Sequence, residues 1–214
     1  GINQNIPNGV PDYIDEVGII ADSAYHVLVE IMGYTKEPFD GEGGYDIFIE
    51  NYTSNVFGYN TPDSPSHSSV GQTSYLQIDN DYIGYNSNYN LSPTKIMQIS
   101  VAHEYFHGIQ WGYRKNTSGS KYLYEMTSMW FEDILIPDGN DYLEDGFVGA
   151  LLNNPTADID NTGGGYELAL FGHYLSSFID EDGQIDAKNS TIMLEIWNEF
   201  QSNSISPSAF FTMQ

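Results

Sequence analysis

Apolar residues along the first third of the chain follow two different rhythms. From Pro11 onward, Ile14, Val17, Ala21, Ala24, Leu28 and Ile31 recur at helical spacing, and Gly33 suits the C-terminal stop of such a helix. After the turn-forming DGEGG comes YDIFIE, where Tyr45, Ile47 and Ile49 alternate with Asp46, Phe48 and Glu50. That alternation predicts a half-buried strand. Residues 51–72 are punctuated by Ser, Asn, Pro and Gly and read as a long surface excursion. TSYLQIDND then predicts a second strand, with Leu76 and Ile78 on one face.

The helical rhythm returns at Ser92-Pro93, an N-cap followed by a first-turn proline. Ile96, Ile99, Ala102, Phe106 and Ile109 give this helix a packed face as far as about Tyr113. RKNTSGS is a loop, and KYLYEMTSMWFEDIL is a further helix that stops before Pro137. Acidic turns are expected over 137–164, then helices over YELALFGHYLSSFID and TIMLEIWNEF. No internal repeat or flexible linker interrupts the series. Strands early and helices late favour an α+β fold over alternating α/β.

Within the helix that begins at Pro93, HEYFH places His103 and His107 four residues apart with Glu104 beside the first. Residues at i and i+4 lie about 40° apart around a helix and about 6 Å along it, so both imidazoles can reach one ion. Glu104, one step further round, cannot share that ligand geometry but can lean over an open coordination position. H-E-x-x-H thus separates two ligands from one general base, as metal-assisted hydrolysis requires. The plainer reading is two hydrogen-bonded histidines beside a surface glutamate. Glu125 is the best candidate for a third ligand, with residues 108–124 between it and His107. It stands on the next helix across a short loop, among apolar Tyr124, Met126 and Met129. A half-buried carboxylate there needs a partner to stay charged, and a metal ion is one. The chain then divides into an N-terminal lobe, 1–112, with the sheet and the HExxH helix, and a helical C-terminal lobe, 113–214, with the third ligand. The two form one catalytic module.

Composition narrows the chemistry. The chain of 214 residues has no cysteine, so disulfides and thiolate sites are excluded and His and carboxylates remain as strong metal ligands. Thirty acidic residues against six basic ones give a formal net charge of −24. Phosphate backbones and anionic membranes are repelled, which argues against nucleic acid as a partner. Calcium or a cationic substrate would be attracted, and self-repulsion favours a monomer. No apolar run is long enough for a membrane span, so no membrane insertion is expected. No signal peptide precedes Gly1, and AFFTMQ ends the chain on apolar residues, so it reads as a mature segment or an excised domain.

The stretch HEYFHGIQWGY…YLYEMTSMWFEDIL resembles the gluzincin metallopeptidases, the thermolysin-like clan. More closely it is similar to a group of exported bacterial metallopeptidase-like proteins with the pattern HE-F-FH-IQ…E-x-x-x-x-W-x-ED, preceded by an IDND-like strand. The likeness spans roughly residues 1–200, and only 75–135 are specific. It implies a zincin-like fold, a small mixed sheet with the active-site helix followed by a mainly helical lobe. It also implies Zn²⁺ held by His103, His107 and Glu125, with Glu104 as general base, and a secreted, extracellular endopeptidase acting on protein or peptide substrates. Glu104 would take a proton from the attacking water and pass it to the leaving amine. Tyr166 and His173, seven apart on one expected helix, are the candidate oxyanion donors, Tyr166 first. In zincins an edge strand before the active helix pairs with the substrate backbone, and TSYLQIDN occupies that position. Thermolysin places an Asp four residues after its ligand Glu, whereas position 129 here is Met. Glu132 or Asp133 would then orient a histidine.

Weaker signals remain. Asn3, Asn5, Asn8, Asp12 and Asp15 could offer oxygens to Ca²⁺ but lack EF-hand order and read better as a capping segment. Asp79, Asn80 and Asp81 read as the end of a strand before a calcium site. His26 and His67 read as structural or surface residues, and the three Trp as core or interface. The rival to a peptidase is a non-catalytic extracellular module, adhesin-like and binding peptide or glycan on the same fold.

Overall fold

The computed structural model describes residues 8–41, 43–53, 56–64, 71–83, 91–115, 120–143, 147–156, 159, 164–180 and 188–202. The fold is α+β and mostly helical, with a small three-stranded mixed sheet. Helix α1 (Asp12–Tyr25) runs into a π-helical turn, His26–Ile31, and ends at Gly33, whose φ of +85° is the left-handed stop that glycine permits. The π turn adds a residue to the period and rotates the apolar stripe. Val27 and Leu28 are buried, whereas Ile31, expected inside, is 45% exposed.

Strands β1 (Ile47–Glu50), β2 (Gly58–Pro62) and β3 (Ser74–Asp79) form the sheet in the order β1-β3-β2. β1 runs parallel to β3, with Ile47 opposite Leu76, and β2 runs antiparallel to it, with Gly58 opposite Ile78. Two expectations are corrected here. The stretch 51–72 is not only loop, because β2 lies within it. TSYLQIDN is the central strand rather than an edge, since β3 hydrogen-bonds a strand on both sides. Leu76 and Ile78 on β3 are fully buried. Both Asp79 carboxylate oxygens close the strand end, accepting the backbone N–H of Tyr52 (2.9 Å) and Tyr82 (2.8 Å). Tyr82 Oη in turn donates to the Phe57 carbonyl at 2.7 Å and fastens the segment that leads into β2.

Helix α2 (Pro93–Tyr113) starts at Ser92, whose side chain accepts the Lys95 N–H at 3.2 Å. It packs against α1, β2, β3, α3 and α6, so Met97, Val101 and Tyr105 are buried as well as the expected face. Helix α3 (Lys121–Leu135) lies beside α2 and buries nearly every side chain, Trp130 and Phe131 completely. The acidic stretch after Pro137 is more structured than expected, with a 3₁₀ turn at Asp141–Leu143 and the short α4 (Val148–Asn153). Residues 166–179 are not one uniform helix. A 3₁₀ turn (Tyr166–Leu168) leads into α5 (Ala169–Tyr174) and a π turn (Leu175–Ile179). Helix α6 (Ile192–Ser202) closes the described fold, with Trp197 fully buried. One apolar core runs from Val17 on α1 to Phe200 on α6 and draws on both the 1–112 and the 113–214 stretches.

Candidate metal centre

Helix α2 presents His103 and His107 to α3, which returns Glu125 beside them. Glu125 Oε2 lies 3.2 Å from His103 Nε2 and 3.5 Å from His107 Nε2. Donors about 2.0–2.1 Å from a tetrahedral ion stand about 3.3–3.4 Å apart, so these separations suit one. Among the described residues, these three form a group whose ligand atoms all lie within 4.8 Å of one another, and they could hold a metal ion.

Each imidazole is oriented through its other nitrogen. His103 Nδ1 donates to Glu132 Oε1. His107 Nδ1 donates to Gln110 Oε1 at 2.7 Å. Gln110 is fully buried, and its amide nitrogen faces three α3 oxygens, Tyr124 O, Thr127 Oγ1 and Ser128 Oγ, at 3.0–3.1 Å. Its carbonyl oxygen is therefore left for His107. With Nδ1 protonated on both rings, the Nε2 lone pairs point at the Glu125 carboxylate. Lone pairs and a carboxylate oxygen can converge only around a cation, either a proton or a metal ion. The donor set fits a metal on that ground.

Electrostatics follow the same geometry. Burial alone would raise the Glu125 carboxyl, but hydrogen bonds and charge from His103 and His107 outweigh it and hold it well below the carboxylate range. Burial opposes charge on His103, yet Glu132 and Glu125 outweigh it and move the imidazole up. Glu104 is pushed up, by burial first, against the lowering influence of both histidines.

Glu104 sits on the wall of a cavity of about 470 Å³ that also shows His103, Glu132, Asp141, Met129 and Tyr166, with the segment Val56–Tyr59 opposite. Edge strand β2 is fastened beside it. Asn60 Nδ2 donates to the Glu104 backbone carbonyl at 2.8 Å and to Tyr45 Oη at 2.7 Å. Gly58 makes this approach possible, because a Cβ there would stand 3.0 Å from Glu104 Cγ and 3.0 Å from the Gln77 carbonyl.

The structure separates the two candidate oxyanion donors. Tyr166 lines the cavity, its ring parallel to that of His103 (6.0 Å, 7°) and backed by Phe147 (5.7 Å, 22°). Its pKa is raised, by burial first and then by the nearby Glu125 charge. His173 is not on that wall. It is buried on α5 with Nε2 3.3 Å from Asp133 Oδ2 and its ring against Tyr142. The change from 3₁₀ to α geometry between 166 and 173 turns the two side chains apart. Glu132 and Asp133, neighbours on α3, are divided between the two histidines, Glu132 meeting His103 and Asp133 meeting His173.

Of the weaker signals, Asn8 donates to Asp15 at 3.0 Å and accepts the Val10 N–H at 2.8 Å, the contacts of an Asx turn ahead of α1. Asn3, Asn5 and His67 lie outside the described residues. His26 is exposed and paired with Glu30 at 2.5 Å. Gln110 and Asp141 were missed from sequence. Gln110 had a usable signal, since i+3 on a helix is a contact position for His107. Asp141 had none. Comparison with family profiles, with curated proteins and with solved structures returns no match for this chain. No described helix is long and apolar enough to cross a membrane.

Proposed function

We propose that this chain is a secreted zinc-dependent endopeptidase of gluzincin type, built on a zincin-like fold. The observation that carries the reading is the convergence of His103, His107 and Glu125 beside a buried carboxylate, Glu104, on the wall of an open cavity. The resemblance of the 75–135 stretch to gluzincins supports the choice of zinc and of peptide hydrolysis. A zinc ion bound by the three residues would supply Lewis acidity, acidifying water and polarising a carbonyl oxygen. Glu104 handles the proton, accepting it from the attacking water and delivering it to the leaving nitrogen. Its raised pKa suits a group that must act first as base and then as acid. Tyr166 supplies a hydroxyl to the oxygen that gains charge during attack. Glu132 and Gln110 keep both imidazoles in the tautomer that leaves Nε2 unprotonated.

The substrate backbone has a place to lie. Among the described residues, β2 is the edge strand beside Glu104 and pairs with β3 alone. A peptide added along its other side gains main-chain hydrogen bonds whatever its sequence. Export follows from the likeness to exported bacterial proteins, and the net charge of −24 disfavours self-association.

The test is metal analysis with reconstitution. Purified protein should carry one zinc per chain, hydrolyse an unfolded protein such as casein, lose that activity on chelation and regain it when zinc is returned. Stoichiometric zinc without hydrolysis across a broad substrate panel would turn the reading to the non-catalytic binding module.

A backbone variant checks the part given to Tyr166. Gly165 has φ +110°, and a Cβ there would stand 2.4 Å from the Tyr122 carbonyl oxygen and 2.6 Å from its Cα. Neither obstacle is a movable side chain, so Gly165→Ala must lift the 3₁₀ turn off α3 and take Tyr166 from the cavity. Loss of one oxyanion donor costs about 10²–10³ in kcat. That loss is expected here, with zinc content unchanged; full activity in the variant would remove Tyr166 from the mechanism.

A further inference from the structure

We propose that Asn60 is a positioning residue that fixes how far the edge strand β2 stands from the general base Glu104. The proposal rests on the peptidase reading of the site. Asn60 shares with Gly58 the face of β2 turned toward α2. Its Nδ2 donates to the Glu104 backbone carbonyl at 2.8 Å and to Tyr45 Oη at 2.7 Å. A carbonyl has two lone pairs, and the helical hydrogen bond of α2 uses one of them at Glu104. Turned the other way, the amide would set its oxygen against that carbonyl. Both amide hydrogens are thus spent, and among the described residues nothing donates to the buried Oδ1. The position uses asparagine for its donors.

Tyr45 Oη is itself bonded to Ser74 Oγ on β3 at 2.8 Å, so it braces the amide from the central strand. Helix α2 carries glycine where the strand crosses it: a Cβ on Gly108 would stand 2.5 Å from Tyr45 Oη and 3.3 Å from Asn60 Nδ2. Gly58 meets the side chain of Glu104, with 3.0 Å between Glu104 Cγ and the place of a Cβ. Asn60 is therefore a tie to the backbone of the general base, and Gly58 a stop against its side chain. A peptide paired along β2 takes its distance from the Glu104 carboxyl from these two contacts. An error of about 1 Å in such a distance costs about 10²-fold in rate. A merely structural role would lower stability without singling out turnover.

Asn60→Leu removes the tie at nearly constant volume. Steady-state hydrolysis of a fluorogenic peptide should show kcat lower by about 10²-fold with KM within about 3-fold of wild type, because the peptide still pairs with the strand. Zinc content should not change, since His103, His107 and Glu125 stand on α2 and α3. In metal-free protein, hydrogen exchange over β2 should quicken by about 5-fold, the net worth of one hydrogen bond. Tyr45→Phe is the control for packing. It removes the hydroxyl bonded to Ser74 and Asn60 but leaves the tie to Glu104, so kcat should stay within about 3-fold of wild type. Wild-type kcat in Asn60→Leu, a raised KM with kcat kept, or an equal fall of kcat in Tyr45→Phe overturns the proposal. If Asn60→Leu does not fold, Gly58→Ala decides, since its Cβ must part strand and base with the tie intact. There kcat should fall with KM kept, and full turnover overturns the proposal. Wild-type protein that hydrolyses no peptide sinks the peptidase reading and this proposal together; the variant results sink this one alone.

Discussion

Glu104→Gln is expected to lower kcat by about 10²–10⁴-fold, the usual contribution of a positioned general base, while zinc content, KM and fold stay near wild type. The amide is isosteric with the carboxyl, so the close packing against Gly58 survives, with 3.0 Å from the Glu104 Cγ to where a Cβ on Gly58 would be. Burial already disfavours the charged form of Glu104, so neutralising it removes a penalty and adds none. The metal group consists of His103, His107 and Glu125, so the ion loses no ligand. What disappears is the carboxyl proposed to take a proton from water and return it to a nitrogen. Steady-state hydrolysis of a fluorogenic peptide alongside metal analysis separates these effects. Hydrolysis at the wild-type rate would take Glu104 out of the reaction, and lost zinc would mean that it helps to hold the ion.

The parts of the fold set by local periodicity could be read directly. Helices α2 and α3 run where the Ser92-Pro93 cap, the apolar rhythm and the stop before Pro137 place them. Strand β2 could not, because GYNTP carries Gly, Asn and Pro, residues of turns. It is a strand only through its pairing with β3, a tertiary contact that no local pattern encodes, and Pro62 is tolerated at its end. The rotated stripe after Tyr25 has a similar origin: a π turn is one residue of extra winding, invisible to a search at the α period. In the site, the four-residue step from His103 to His107 is legible because helix geometry alone puts both rings on one side. Glu125 was reached by a weaker argument, a carboxylate with apolar neighbours, and the packing of α2 on α3 brings it to 3.2 Å from His103. The roles of Glu132 and Asp133 could not be divided from sequence. Adjacent residues on a helix point about 100° apart, and only the positions of α2 and α5 decide which histidine each meets.

Glu125→Ala is expected to abolish stoichiometric zinc and, with it, hydrolysis. Loss of a partner to a ligating histidine costs about 10–100-fold in affinity, and loss of a ligand itself should exceed that. Two groups meet this one carboxylate: His103 Nε2 at 3.2 Å and His107 Nε2 at 3.5 Å. Alanine leaves two imidazoles facing a gap, and two neutral nitrogens make a poor site for a divalent ion. Glu125→Asp offers a graded control, because it keeps the charge but withdraws the oxygens by one methylene. The histidine contacts leave no such slack, so partial zinc occupancy with reduced kcat is expected. Glu125→Gln keeps length and loses charge, and it should bind zinc less well than Asp if attraction to the ion matters more than reach. Competition against a chelator of known affinity ranks the three. Wild-type zinc affinity in Glu125→Ala would show that the ion, if bound at all, is held elsewhere, and the pairing of α2 with α3 would then be a matter of packing alone.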